Sequence, residues 1–236
     1  MMRPIDIAEK LNLSTSALRN YEAKGLVPPA LRSAGGHRMY TEEHLAYFEC
    51  LQAMSPGFGM EVASEVVKHV QLRDASSARW CITVSQAQLH HDKQQAGRNL
   101  QMLEDQVRNG AEEANGVQER KTIGEVSAAT LIAGSAIRYW EKEGLIASSR
   151  DPHNGYRIFG RSQLRKITLL GALRNAIYSP ELVSLKQAIS RLDLNDLEGA
   201  REIAGKSLAY LDRMSEEQFR GMFFFGKLCR LLSLMK

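Results

Sequence analysis

The chain is poor in the features that mark secreted, membrane-spanning or catalytic proteins. Cysteine occurs three times in 236 residues, at Cys50, Cys81 and Cys229. An odd number of widely spaced cysteines excludes the disulfide framework of a small secreted domain. The N-terminus, Met1-Met2-Arg3-Pro4-Ile5-Asp6, lacks an apolar signal region. The most apolar stretch, Met222 to Met235, is interrupted by Lys227 and Arg230 and is too short to cross a bilayer. A cytoplasmic protein with no membrane partner is therefore expected. The phosphate-binding Walker loop, the GxSxG elbow and the HExxH helix are all missing. Glycines fall at turns and helix ends, so the expectation is no catalytic residue, no enzyme and no cofactor. No metal ligand set stands out either. His90 and His91 are adjacent, and on a helix they point about 100° apart, which prevents a shared metal face. Cys81 has no second cysteine near it, and softer metals need two or more thiolates.

A duplication is present instead. Ser16-Ala17-Leu18-Arg19-Asn20-Tyr21-Glu22-Ala23-Lys24-Gly25-Leu26 returns as Ser135-Ala136-Ile137-Arg138-Tyr139-Trp140-Glu141-Lys142-Glu143-Gly144-Leu145, with six of eleven positions identical. The offset of 119 residues continues without a gap: Leu13 meets Ile132, Gly36 meets Gly155, Arg38 meets Arg157, Tyr40 meets Phe159 and Leu51 meets Leu170. One module is thus present twice, loops included. Hydrophobic content of 44% and charged content of 25% are ordinary for a globular chain, and the length suffices for two small cores with connecting helices.

Charge divides unevenly between the copies. Residues 1–55 carry six Lys/Arg and six Asp/Glu, whereas residues 120–174 carry ten and four. The second copy is the basic one, which suits a polyanion.

Each copy begins with an amphipathic segment, Ile5 to Leu11 and Ile123 to Thr130. A short turn follows, then a second helix, from about Ser16 to Lys24 and up to Glu143, stopped by Gly25 and Gly144. Two short helices joined by such a turn form a helix-turn-helix. An extended stretch then turns at glycine, through Gly35-Gly36-His37-Arg38 and Asn154-Gly155-Tyr156-Arg157. This spacing predicts a hairpin wing, with its arginine directed at a phosphate and Tyr40 or Phe159 anchoring it to the core.

The order helix, turn, helix, wing, helix, with Arg19-Asn20-Tyr21-Glu22 and Arg138-Tyr139-Trp140-Glu141 ahead of Gly-Leu and the wing arginine, resembles the MerR family of bacterial transcription regulators. The likeness covers about residues 3–70 and 121–192. The doubled arrangement is similar to the two-headed TioE-like subgroup. The resemblance implies a mainly α fold: two winged helix-turn-helix domains, each with a small β-hairpin, joined by long coiled-coil-like helices. After each wing it implies two further helices, Glu42 to Met54 with Val62 to Val70, and Ser162 to Ala176 with Val183 to Leu192. The domains then fall at residues 1–75 and 120–194, with a long helix and linker at 76–119 and a C-terminal helical segment at 195–236.

The implied partner is double-stranded DNA, with RNA polymerase engaged indirectly through it. A reading helix meets the major groove with its N-terminal residues. In copy one these are Ser14, Thr15, Ser16, Arg19 and Asn20. In copy two they are Ala133, Gly134, Ser135, Arg138 and Tyr139, with less hydrogen-bonding capacity. By resemblance Arg19, Tyr21, Arg38 and Tyr40, and Arg138, Trp140 and Arg157, complete the contact set. Core packing is the alternative reading of Tyr21 and Trp140. Because phosphate contacts position and base contacts specify, copy one is expected to discriminate sequence and copy two to supply affinity. A small-molecule sequestering protein on the same scaffold is the alternative function.

Ile82, Leu89, Ala96 and Leu103 fall seven residues apart, a heptad-like seam on a helix ending near Asn109-Gly110, with Glu112 to Glu119 as a linker. Leu197, Ala204 and Leu211 repeat the spacing on a helix reaching about Met214. The two helices pair with each other in a single-chain pseudo-dimer, or with those of a second chain in a homodimer. Metal sensors of this family carry a ligand near the position of Cys81. The apolar end of the chain reads as core, as an oligomer contact, or as the wall of a pocket for a small apolar effector formed by Trp80, Phe219, Phe223 and Phe224.

Overall fold

A computed structural model describes residues 1–108, 120–193 and 196–235. The expected helix end at Asn109-Gly110 and the linker Glu112 to Glu119 lie outside the described residues.

In the first copy, α1 (Pro4–Leu11) opens on a proline whose missing N–H costs nothing at a helix start. The Asp6 carboxylate accepts the Arg3 backbone N–H at 2.8 Å. α2 (Thr15–Ala23) is capped by Ser14, whose Oγ accepts the Ala17 N–H at 3.0 Å. Beyond it Gly25 has φ +65, a left-handed turn that a side chain would strain. The wing is the antiparallel pair β1 (Leu31–Arg32) and β2 (Arg38–Met39), with Leu31 opposite Met39 and Arg32 opposite Arg38. Next come α3 (Glu42–Gln71) and α4 (Ala75–Arg108). The sequence suggests two helices, Glu42 to Met54 and Val62 to Val70, where α3 stands. The structure agrees: α3 is two helical segments that meet at Gly59, whose φ 79 and ψ 156 are non-helical, three residues after Pro56, whose ring nitrogen has no proton to donate.

The second copy repeats the plan. β3 (Lys121–Thr122) leads into α5 (Ile123–Thr130), where Thr122 and Glu125 cap each other reciprocally. α6 (Gly134–Lys142) precedes the wing strands β4 (Ser149–Arg150) and β5 (Arg157–Phe159), and the sheet order is β3-β5-β4. Arg150 pairs with Arg157, so this hairpin closes one residue away from the register that the ungapped repeat implies. α7 (Arg161–Ala172) and α8 (Pro180–Arg191) are separate helices, and Ser179 caps the latter. α9 (Leu197–Leu231) is a single run of 35 residues, absorbing the apolar segment that the sequence sets apart after Met214.

Two compact units emerge, residues 1–88 with 213–236, and residues 89–212. In the first, Ala78 and Ile82 of α4 and Phe225, Leu228 and Cys229 of α9 join a core of Leu18, Tyr40, Phe48, Leu51 and Val66. α9 approaches α3 closely because glycines face it. A Cβ on Gly57 would lie 2.4 Å from the Gln218 backbone nitrogen, and one on Gly221 would lie 3.0 Å from the Met54 Cα. Gln218 Nε2 seals the crossing by donating to the Gly57 carbonyl at 2.9 Å. At the edge, Lys227 pairs with Glu49 at 2.7 Å and Arg73 donates to the Leu232 carbonyl.

In the second unit, Leu89, Ala96 and Leu103 of α4 and Ala200, Ala204 and Leu211 of α9 are buried with Ile137, Ile167, Leu170 and Leu173. All four residues of the seam beginning at Ile82 are therefore interior within their units. Lys93 of α4 pairs with Asp212 of α9, and Asn99 Nδ2 donates to the Thr168 carbonyl at 3.1 Å. Lys166 is buried, and its Nζ is satisfied by the Ser190 carbonyl at 2.6 Å. Among the described residues, no helix is long and apolar enough to cross a membrane.

The glycine crossing predicts opposite responses at two helical positions. Gly57→Ala forces backbone apart and should cost about 1–3 kcal/mol of stability. Gly205→Ala, with open space around the new methyl, should be neutral or gain up to about 1 kcal/mol through helix propensity. Denaturant unfolding of both variants checks this, and equal effects would contradict the crossing geometry.

Candidate nucleic-acid interface

The reading helix of the first copy is pinned by Leu18, which is wholly buried, so its other face must point to solvent. On that face Ser16, Arg19 and Asn20 are exposed and Thr15 is half-buried. Ser14 is exposed too, but its hydroxyl serves the helix as N-cap. In the second copy Ile137 and Trp140 form the buried face, and Ser135, Arg138 and Tyr139 the exposed one. Here α6 begins at Ala133 without a side-chain cap.

Both wings are tied to their reading helices by a glutamate. Glu22 Oε2 accepts Arg38 Nε at 2.8 Å, while Oε1 accepts the Ala30 N–H at 3.2 Å. Glu141 Oε2 accepts Arg157 Nε at 2.6 Å, and its other oxygen takes the Ser148 hydroxyl. Burial pushes the Glu22 carboxyl up, but the bonds from Arg38 and Ala30 and the charges of Arg38 and Arg32 outweigh it. Its pKa therefore lies below the usual carboxylate range. Burial likewise raises Glu141, and Ser148, Arg157 and Arg150 together bring it below that range. At each wing tip an arginine returns to the turn: Arg32 Nη1 donates to the Gly36 carbonyl and Arg150 Nη1 to the Gly155 carbonyl, both at 3.1 Å. Each wing arginine thus spends its Nε inward on a glutamate of the reading helix.

Two expected contact residues are corrected by this geometry. Tyr40 is 0% exposed: its ring packs edge-on to Phe48 at 5.4 Å and its hydroxyl faces Glu22 Oε2 at 3.5 Å. Trp140 is 5% exposed, on the same inward face of α6 as Ile137. Both side chains are turned inward rather than toward solvent. Tyr21 is half-buried, 6.3 Å from the Phe48 ring centroid.

The residues expected to form an effector wall lie mostly at the surface. Trp80, Phe219 and Phe223 are 65%, 66% and 62% exposed. Phe224 is half-buried and packs edge-on to Phe223, with Lys227 Nζ 5.7 Å from its ring centroid. In the second unit, by contrast, a cavity of about 170 Å³ opens between α4 and α7.

Sequence spacing also hides a donor cluster in the first unit. Glu65 and His69, one turn apart on α3, meet Cys81 of α4, with ligand atoms within 4.8 Å of one another. A carboxylate, an imidazole and a thiol suit a borderline cation such as zinc. Burial and the neighbouring Glu65 push the Cys81 thiol up, so a cation would have to displace its proton. The partners of Cys81 are thus a histidine and a glutamate from another helix, which a search for a second cysteine misses.

Comparison with known proteins follows the same two segments. The pattern described as MerR family regulatory protein matches residues 3–40 and 122–159. The chain is 48% identical over 63 residues to the HTH-type transcriptional regulator CueR of Salmonella typhi, covering 26% of this chain and 46% of that protein. It therefore spans about half the length of that relative. The Escherichia coli O157:H7 regulator of the same name is 36% identical over 99 residues, or 40% of this chain and 73% of that protein. The uncharacterized HTH-type transcriptional regulator YyaN of Bacillus subtilis is 39% identical over 62 residues, 26% of this chain and 45% of that protein.

The lowered carboxyls set a pH dependence. A carboxylate whose folded pKa is depressed contributes stability above its unfolded value of about 4.3 and loses it as pH falls through the folded value. Glu22→Gln and Glu141→Gln should each cost about 1 kcal/mol at neutral pH, both pairs being partly solvated. They should also flatten the acid limb of the stability curve. Thermal melts from neutral to strongly acidic pH check this; an unchanged acid limb in both variants would refute the anchor.

Proposed function

Because the chain belongs to the MerR family of regulatory proteins, we propose that it is a sequence-specific, DNA-binding transcription regulator that places two unlike heads on one operator. The observation carrying this reading is that both copies pair an exposed polar reading face with a wing held by a glutamate–arginine bridge. A scaffold used only to sequester a small molecule would have no need of exposed Arg19 and Arg138 beside two anchored wings.

Roles divide by geometry. Ser16, Arg19 and Asn20 are offered to base edges, where asparagine suits adenine and arginine suits guanine. Ser135, Arg138 and Tyr139 offer fewer donors and acceptors, on the more basic copy. Arg38 and Arg157 keep their terminal nitrogens for phosphates. Operator symmetry mirrors protein symmetry, so heads that differ at Ser14/Ala133, Thr15/Gly134 and Asn20/Tyr139 call for dissimilar half-sites. α4 and α9 of a single chain meet inside each unit, through Lys93 and Asp212 in one and through the shared core in the other. This supports a single-chain pseudo-dimer over pairing with a second copy. RNA polymerase is reached indirectly, through the DNA, and the cytoplasm is where such a protein acts.

Binding to duplex DNA should weaken steeply with salt. If each head neutralises three to five phosphates, the log–log slope is roughly −5 to −9. Arg38→Ala or Arg157→Ala should weaken binding across all sequences, whereas Asn20→Ala should relax preference at one base pair by about 1–3 kcal/mol. Salt titrations and sequence-selection assays read these outcomes, and footprinting with sizing of the complex reads the stoichiometry. Salt-insensitive or absent binding would overturn the regulator. Two chains on a perfect palindrome would overturn the pseudo-dimer.

A further inference from the structure

Glu65, His69 and Cys81 of the first unit form a donor set that neither the reading faces nor the wings use. Glu65 and His69 stand four residues apart on α3, neighbours on the same helix face. Cys81 meets them from the second turn of α4, which begins at Ala75. Rigid backbone holds all three. Val66, Val70 and Ile82, the next residues along the chain, are buried in one shared core. The side chains themselves reach the surface: Glu65 is exposed, His69 and Cys81 half-buried. An ion therefore has a path in from solvent, and water can complete its coordination.

Distance and chemistry agree on the kind of ion. The ligand atoms lie within 4.8 Å of one another. Tetrahedral zinc, with bonds of about 2.0–2.3 Å, needs separations of about 3.5 Å. Small rotations of these side chains close that gap. One thiolate, one imidazole and one carboxylate, with a position left open, suit zinc. Calcium and magnesium take oxygen donors, and soft copper(I) takes sulfur. Asp74 Oδ2 lies 3.6 Å from His69 Nδ1, so a second carboxylate stands beside the imidazole, as ligating histidines commonly have. Asp74 is itself fixed, its Oδ1 accepting the Ser77 N–H at 3.0 Å.

The repeat supplies a comparison within one molecule. The offset of 119 still holds along this part of α3: buried Ala63, Val66 and Val70 match buried Leu182, Leu185 and Ile189. At that offset Ser184 and Ala188 stand in place of Glu65 and His69. Asp74 and Asp196 each accept the N–H three residues ahead, which aligns the starts of α4 and α9. Ile203 then takes the place of Cys81. The second copy keeps the core positions and carries none of the three donors, so packing alone does not call for them.

We propose that Glu65, His69 and Cys81 bind a zinc ion that fastens α3 to α4 in the first unit, with water in the fourth position. Binding releases the Cys81 proton to solvent, and the thiolate, imidazole and carboxylate donate to the ion. The site is complete within one chain and stands independently of DNA binding.

Cobalt(II), which accepts the same geometry and carries a visible spectrum, is the first probe. It is added to the full chain in chelator-treated buffer without DNA. One equivalent should give the visible bands of tetrahedral cobalt and a near-ultraviolet thiolate-to-cobalt band, both erased by Zn²⁺. Cys81→Ser should remove the thiolate band. Glu65→Gln and His69→Gln should each weaken zinc by at least the roughly 10–100-fold that a lost outer-shell partner costs. Should Cys81→Ser fail to fold, Glu65→Gln, at an exposed position, carries the test. Hydrogen exchange at residues 72–74 reads the fastening: zinc should slow it in the native chain and not in Glu65→Gln with His69→Gln. Absence of the thiolate band, a band that survives Cys81→Ser, or zinc affinity unchanged in Glu65→Gln and His69→Gln would overturn the site. Exchange that zinc leaves unaltered in the native chain would overturn the fastening.

Discussion

Everything in this protein depends on the inability of either repeat to bury its own apolar surface. A helix-turn-helix with a two- or three-stranded wing offers too few residues for a self-sufficient core. In the first unit the deficit is met by Ala78 and Ile82 from one long helix and Phe225, Leu228 and Cys229 from the other. Fully burying side chains of this size stabilises by about 1.5–3 kcal/mol each, comparable with the whole margin of a small domain. In the second unit the same service comes from Leu89, Ala96 and Leu103 with Ala200, Ala204 and Leu211. The long helices are thus structural halves of the heads as well as connectors, and the close approach at Gly57 shows how tightly one of them must sit.

A second economy lies in the glutamates. Glu22 and Glu141 each stand sixteen residues before the arginine they hold. One side chain on the reading helix therefore fixes the wing, the strand entry and the direction of the arginine at once. Charge-assisted bonds of this kind are partly screened where they meet solvent. Their value is geometric: an arginine held by its Nε has lost much of its rotamer freedom before any partner arrives.

Much of this was legible in the sequence because repetition and helical spacing are strong local signals. The reading helices, their glycine stops, both wings and the seam from Ile82 to Leu103 follow from residues close together in the chain. What was misread depends on direction or on distant contacts. Tyr40 and Trp140 are polar-edged aromatics that the sequence leaves readable either as core or as contact, and the packing decides for the inward face. Trp80, Phe219 and Phe223 look like a pocket wall in sequence yet lie on the surface. The meeting of Glu65 and His69 with Cys81, and the cavity beneath Arg161, arise from helices brought together by the fold. No spacing rule announces them. The break in α3 was legible too, since Pro56 and Gly59 mark in sequence the place where its two helical segments part.

The duplication has a genetic consequence. In a protein assembled from two identical chains, every codon change is made in both heads, so a useful substitution in one drags an unwanted copy into the other. Here Asn20 and Tyr139 occupy matching places on separate codons of one reading frame. Each head is therefore free to drift under its own selection while the helices of the same chain keep the two in fixed one-to-one supply.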